Sequence, residues 1–146
     1  TIAMAKVSTC AQEAKSLGYM QPSDSITMNH DHLLYDAKQL VLALAKGGYR
    51  APRRRNEIRV PGRTGRALLE LLIYLLKDGL FITEHDAVVA KKLASVLAGG
   101  DVDLNTLVTE DYILALEREA FMSLCGEEKT QARMKHFVET GRPLRN

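Results

Sequence analysis

The sequence predicts an all-α protein of about six helices, and three observations carry that prediction. Apolar residues recur at spacings of three and four in successive segments, the period of a helix face. Glycines close several of these segments, and hydroxyl or acidic residues open them, as helix ends require. Aromatic residues make up only 5% of the chain and Trp is absent, which argues against an all-β sandwich. At 146 residues the chain is one domain's worth, long enough to bury about two-thirds of its unfolded surface. A net charge of +2 demands neither a nucleic acid nor an anionic membrane as partner, so any basic site must be local.

The first helix is expected in TCAQEAKSLGYM, with a capping-box pattern from Thr9 to Gln12, an apolar face of Ala11, Ala14 and Leu17, and a stop at Gly18. The second lies in MNHDHLLYDAKQLVLALAKGG, where Leu33, Ala37, Leu40 or Val41, and Leu44 fall at helical spacing and Gly47 and Gly48 end it. The stretch YRAPRRRNEIRVPGRTGRA is the one composition break, dense in Arg, Pro and Gly, and reads as an exposed connection. The third helix, ALLELLIYLLKDG, is apolar nearly all round except for a stripe of Glu70, Tyr74 and Lys77, and should be the most buried. It is also too short and too interrupted to span a bilayer. Thr83 and Asp86 open the fourth, with Val89, Leu93, Val96 and Leu97 as the expected inner face before Gly99 and Gly100. Thr109 is the expected N-cap of EDYILALEREAFMSLCG, whose early acidic residues suit the helix dipole. The last helix should run from about Glu127 to Thr140, with Met134, Phe137 and Val138 inward and Gly141 and Pro143 as the stop. No segment reads as a clear strand.

Catalytic patterns are absent. His30 and His32 have a metal-ligand spacing, but no second ligand cluster accompanies them, so the pair reads as polar residues in a helix's first turn. His85 and His136 read as solvated or hydrogen-bonded histidines rather than catalytic ones. No nucleophile elbow, P-loop or dinucleotide fingerprint occurs, and GRTGR lacks a preceding strand. Cys10 and Cys125 lie far apart in helical sequence with no signal peptide before them, as expected of reduced thiols in a cytoplasmic protein. The basic segment leaves alternatives open. Arg53, Arg54 and Arg55 could hold an anion through their forked donors, or they could be solvated or paired with acidic residues. Nucleic acid is disfavoured because no aromatic platform accompanies the charge.

The stretch LEREAFMSLCGEEKTQARMKHFVETGRPLRN resembles the C-terminal end of the crotonase (enoyl-CoA hydratase/isomerase) superfamily. The resemblance rests on Glu117, Arg118 and Phe121 on one helix, then Met134, Phe137, Val138 and Glu139, then Arg142 and Pro143. Ala11, Glu13, Ala14, Leu17 and Gly18 similarly match an Ala-x-Glu-Ala-x-x-Leu-Gly segment of that family. The intervening KDGLFITEHDAVVAKKLASVLAGG resembles the helical C-terminal domain of 3-hydroxyacyl-CoA dehydrogenases. The combination is similar to the C-terminal region of bacterial proteins that fuse such a dehydrogenase to an enoyl-CoA hydratase.

The resemblance implies a division into crotonase-like helices over 1–48, a basic linker and dehydrogenase-like insertion over 49–111, and crotonase-like terminal helices over 112–146. It implies a parent enzyme of fatty-acid β-oxidation that hydrates trans-2-enoyl-CoA and oxidises 3-hydroxyacyl-CoA with NAD. The catalytic glutamates, the oxyanion donors and the dinucleotide fold would all lie upstream, so this chain alone is expected to be inactive. The absence of Met before Thr1 points the same way. The implied partners are the upstream domains, acyl-CoA and a second copy in a homo-oligomer. Phe137 falls where the family's terminal helix meets CoA. Thr140 replaces the family's usual Lys there, so the basic role would pass to Arg142 or Arg145. No catalytic or metal residue is assigned. The alternative is an independent helical module whose arginine segment binds an acidic protein or nucleic acid.

Overall fold

A computed structural model describes all 146 residues and separates them into two compact units, Thr1–Arg53 and Arg54–Asn146. In the first unit, helix α1 (Ala11–Ser16) is capped by Cys10, whose Sγ accepts from the Glu13 N–H at 3.4 Å. The reciprocal bond joins Thr9 to Glu13, not to Gln12. The Thr9 N–H and hydroxyl both donate to the Glu13 carboxylate at 2.7 Å and hold its pKa below the ordinary value. Lys15 Nζ donates to the carbonyls of Pro22 and Asp24, at 2.9 and 2.6 Å, and ties the following loop down. A 3-10 turn at His30–His32 leads into α2 (Leu33–Lys46), which has an apolar stripe yet buries none of its residues.

The second unit holds the core. Strand β1 (Ile58–Arg59) pairs antiparallel with β2 (Leu107–Val108), in the register Ile58 to Val108 and Arg59 to Leu107, so the expectation of no strand is corrected on a small scale. The Val60 N–H continues the ladder to the Thr106 carbonyl at 3.0 Å. Val60 itself is 3% exposed and rests on Gly99, where a Cβ would lie 2.5 Å from Val60 Cγ2. Part of the supposed exposed connection is therefore core, because one β-branched residue between Arg59 and Pro61 finds a glycine to pack against.

Helix α3 (Gly62–Asp78) starts five residues before the leucine run at Ala67. Gly62 has φ +58°, and a Cβ there would come within 2.4 Å of the Val102 carbonyl oxygen, so the helix can only begin here without a side chain. Contrary to expectation, α3 is not the most buried helix: only Gly62 and Ile73 are buried. Leu68, Leu71, Leu72 and Leu75 are exposed, while Arg66, Glu70 and Lys77 flank Ile73 on the packed side. The packed side also carries two ion pairs. Arg66 Nε stands 3.6 Å from Glu70, and Lys77 Nζ lies 2.9 Å from Glu84 of the next helix.

Helix α4 (Glu84–Leu97) opens with the expected capping box, Thr83 accepting from the Asp86 N–H at 3.1 Å and Asp86 from the Thr83 N–H at 3.0 Å. Its buried face is Ala87, Ala90 and Ala94, continued by Ala98, rather than the larger residues. Val89, Leu93 and Val96 are half-buried and Leu97 is exposed. Small side chains let the neighbouring backbones approach closely, and α4 packs between α3 and α5 (Glu110–Cys125). Thr109 caps α5 as expected, accepting from the Tyr112 N–H at 3.1 Å, and the Tyr112 hydroxyl donates to the Gly99 carbonyl at 3.2 Å. Helix α6 (Glu128–Thr140) ends at Gly141 with φ +68°. Its expected inner face is also overturned: Met134, Phe137 and Val138 are exposed, and Thr130, Arg133 and His136 are turned inward. The fold is all-α in all but its four strand residues. No helix is long and apolar enough to cross a membrane.

Candidate functional site: the outer face of the last helix

The segment following α6 turns back along it, so that Pro143 and Leu144 face Arg133, Met134 and Phe137 across a shallow open cleft. Phe137 is 58% exposed, too much for a core residue. Arg142 and Arg145 are exposed on the segment that follows α6, neither paired with a carboxylate. The main chain there is held: the Arg142 N–H donates to Thr140 Oγ1 at 3.1 Å, and Thr140 Oγ1 donates to the His136 carbonyl at 2.7 Å. Thr140 thus serves the helix end. Of the three residues assigned to CoA, Phe137 lines the cleft, whereas Arg142 and Arg145 belong to the return segment and are not among its lining residues.

The inner face of α6 is polar. Arg133 donates to Asp86 Oδ1 at 2.8 Å, to Asn146 Oδ1 at 2.8 Å and, more weakly, to Thr83 Oγ1 at 3.4 Å. It therefore joins α6, the start of α4 and the return segment at one point. Burial pushes the Asp86 carboxyl up, but the Thr83 N–H, Arg133 and the Thr83 hydroxyl outweigh it and hold the group below its ordinary value. His85, 4% exposed, shares its Nε2 with Thr130 Oγ1 at 2.8 Å. Burial lowers its pKa, and the Arg133 and Lys129 charges lower it further. His85 is thus a hydrogen-bonded histidine within an interface.

This cluster is what the sequence did not reveal. Asp86 was legible as a cap, but its long-range partner Arg133 sits in an unremarkable helical stretch. The only available signal was a lone Arg three residues after Thr130 on a face with no apolar residue to bury.

The arginine segment behaves differently at each position. Arg54 pairs with Asp111. Arg55 uses its main chain: its N–H donates to Glu110 Oε2 at 3.2 Å and its carbonyl accepts from the Glu110 N–H at 2.9 Å. Arg53 is exposed. Arg63 pairs with Asp103, which raises its pKa, and Arg66 reaches Asp101 at 3.9 Å. Of the seven arginines from Arg50 to Arg66, three are thus in ion pairs with acidic residues of the same unit. No group of three or more His, Cys, Asp or Glu side chains stands close enough to hold a metal, and His30 and His32 are exposed on their 3-10 turn.

The second unit thus carries an exposed leucine face on α3 and a shallow cleft on α6 that Phe137 lines. The chain is 53% identical over all 146 residues to a Bacillus subtilis (strain 168) protein described as a probable 3-hydroxyacyl-CoA dehydrogenase, and it spans 18% of that protein's length. No protein-family model matches the chain, and no solved structure matches it.

Proposed function

We propose that the chain is the C-terminal helical region of a longer 3-hydroxyacyl-CoA dehydrogenase fused to an enoyl-CoA hydratase, acting in fatty-acid β-oxidation. The observation that carries this reading is 53% identity along the whole chain to a segment amounting to 18% of a probable 3-hydroxyacyl-CoA dehydrogenase. The two reactions, hydration of a trans-2-enoyl-CoA and NAD-dependent oxidation of the 3-hydroxyacyl-CoA, belong to the remainder of that enzyme. NAD does not fit the residues here: the two strands are two residues each, and no glycine-rich turn follows a strand into a dinucleotide-binding helix.

The chain's own share is twofold. The exposed leucines of α3 cover apolar surface of the remaining enzyme and contribute to its homo-oligomer. The α6 cleft meets the nucleotide end of CoA. Phe137 offers a flat apolar face for adenine, and the unpaired guanidiniums of Arg142 and Arg145 suit phosphate by their forked donors. The exposure of Phe137 supports a contact role over a packing one.

Calorimetric titration of the chain with CoA tests this share. Saturable binding that Phe137→Ala and Arg142→Ala each weaken about tenfold or more is expected for stacking and charge-assisted contacts. No heat at millimolar CoA, or binding indifferent to both changes, would remove CoA from the reading.

A further inference from the structure

The CoA reading places the ligand on the outer face of α6 and leaves open what holds the inner face. Helix α6 brings no large apolar side chain to its seat, since Met134, Phe137 and Val138 all point outward. Beside its packing against α5, two polar contacts join it to α4: Arg133 with Asp86 at 2.8 Å and His85 with Thr130 at 2.8 Å. A seat made of apolar contacts is indifferent to pH, whereas one made of a neutral buried imidazole is not.

The geometry points to His85 as a proton-sensitive latch that seats α6, with its cleft, on α4 when neutral and releases it when protonated. His85 is 4% exposed, so a charge placed on it has little water to solvate it. Two of the charged groups facing it, Arg133 and Lys129 of α6, are cations and oppose a proton; Glu127 before α6 and Asp86 of α4 favour one. Asp86 is already committed to Arg133 and to the Thr83 N–H, so it answers a second cation poorly. The direction of the His85 titration agrees with this arrangement, burial and the two cations holding the ring neutral. Because the folded form resists the proton, the seat is fully stable above about pH 6.5, the ordinary imidazole value. It weakens as pH falls below that value. The latch rests on the CoA reading only for its consequence, which is that acid would loosen the helix carrying Phe137. As a device for holding α6 it stands alone.

The test is amide hydrogen exchange of the 146-residue chain between pH 7.5 and 5.5, corrected for intrinsic exchange, without CoA. Protection of Glu128–Thr140 should fall at least about threefold more than protection of α3 and α4, and His85→Gln, which keeps a hydrogen-bonding side chain that does not titrate, should abolish that difference. An equal pH dependence in wild type and H85Q, or none in wild type, would overturn the latch. Should H85Q fail to fold, the His85 ring resonances of wild type decide: titration in step with loss of α6 protection supports the latch, and titration at the ordinary imidazole value with α6 still protected overturns it. CoA affinity enters neither arm, so failure of the CoA reading would leave this result standing and the reverse.

Discussion

Helices α4 and α6 are nearly equal in length, at fourteen and thirteen residues, and are held in opposite ways. Helix α4 is seated by what it lacks: its buried face is Ala87, Ala90 and Ala94, continued past its end by Ala98 and by Gly99, where a Cβ would meet Val60 at 2.5 Å. Helix α6 is seated by what it carries, an arginine and a threonine that reach across to Asp86 and His85. Burial of small apolar surface is indifferent to pH and intolerant of added volume. A polar seat is the reverse. The difference teaches that the interior of this unit is built for permanence and its last helix for conditional attachment, which suits a helix with its aromatic residue on the outside.

The largest expected effect sits on the permanent side. Gly62→Ala would force a Cβ to within 2.4 Å of the Val102 carbonyl at φ +58°; strain and clash together should cost about 3 kcal/mol or more and lower the urea midpoint of the whole second unit. Next is Arg133→Met, which leaves Asp86 part-buried without its cation. About 2 kcal/mol should be lost from α6 protection while α3 and α4 keep theirs, read by hydrogen exchange. Equal loss in all three helices would erase the comparison. Thr83→Ala is smaller and touches both sides, since Thr83 caps α4 and accepts weakly from Arg133. It should cost about 1 kcal/mol, shared by α4 and α6. Smallest is Val138→Ser, at a residue 85% exposed: unfolding stability from urea titration should change by less than about 0.5 kcal/mol, where a core valine would lose several times that.

The helices were legible because their ends carry chemistry. Thr83, Thr109, Gly47 and Gly141 mark boundaries through groups that bond locally, and local bonds can be read from local sequence. Which face turns inward was not legible. Periodicity in α3 and α6 identifies an apolar side, but in the structure those sides face out. In α4 the wide apolar residues suggested an inner face that the alanines in fact provide. Of the candidate site, Phe137, Arg142 and Arg145 were named from family resemblance; Phe137 lines the cleft, and the two arginines are exposed on the segment after α6. The lock beneath them was invisible, because a pair 47 residues apart leaves no trace in spacing. The arginine segment was legible as charge but not as pairing: Arg54 finds Asp111 only once β1 and β2 have aligned the two stretches.

A double-mutant cycle of Asp86→Asn and Arg133→Met, read as hydrogen-exchange protection of Glu128–Thr140 at pH 7.5, tests the polar seat most directly. Coupling of about 1–2 kcal/mol between the two changes is the predicted result, since either one alone already breaks the seat. Additivity within about 0.5 kcal/mol would mean that α6 is held by something other than this pair.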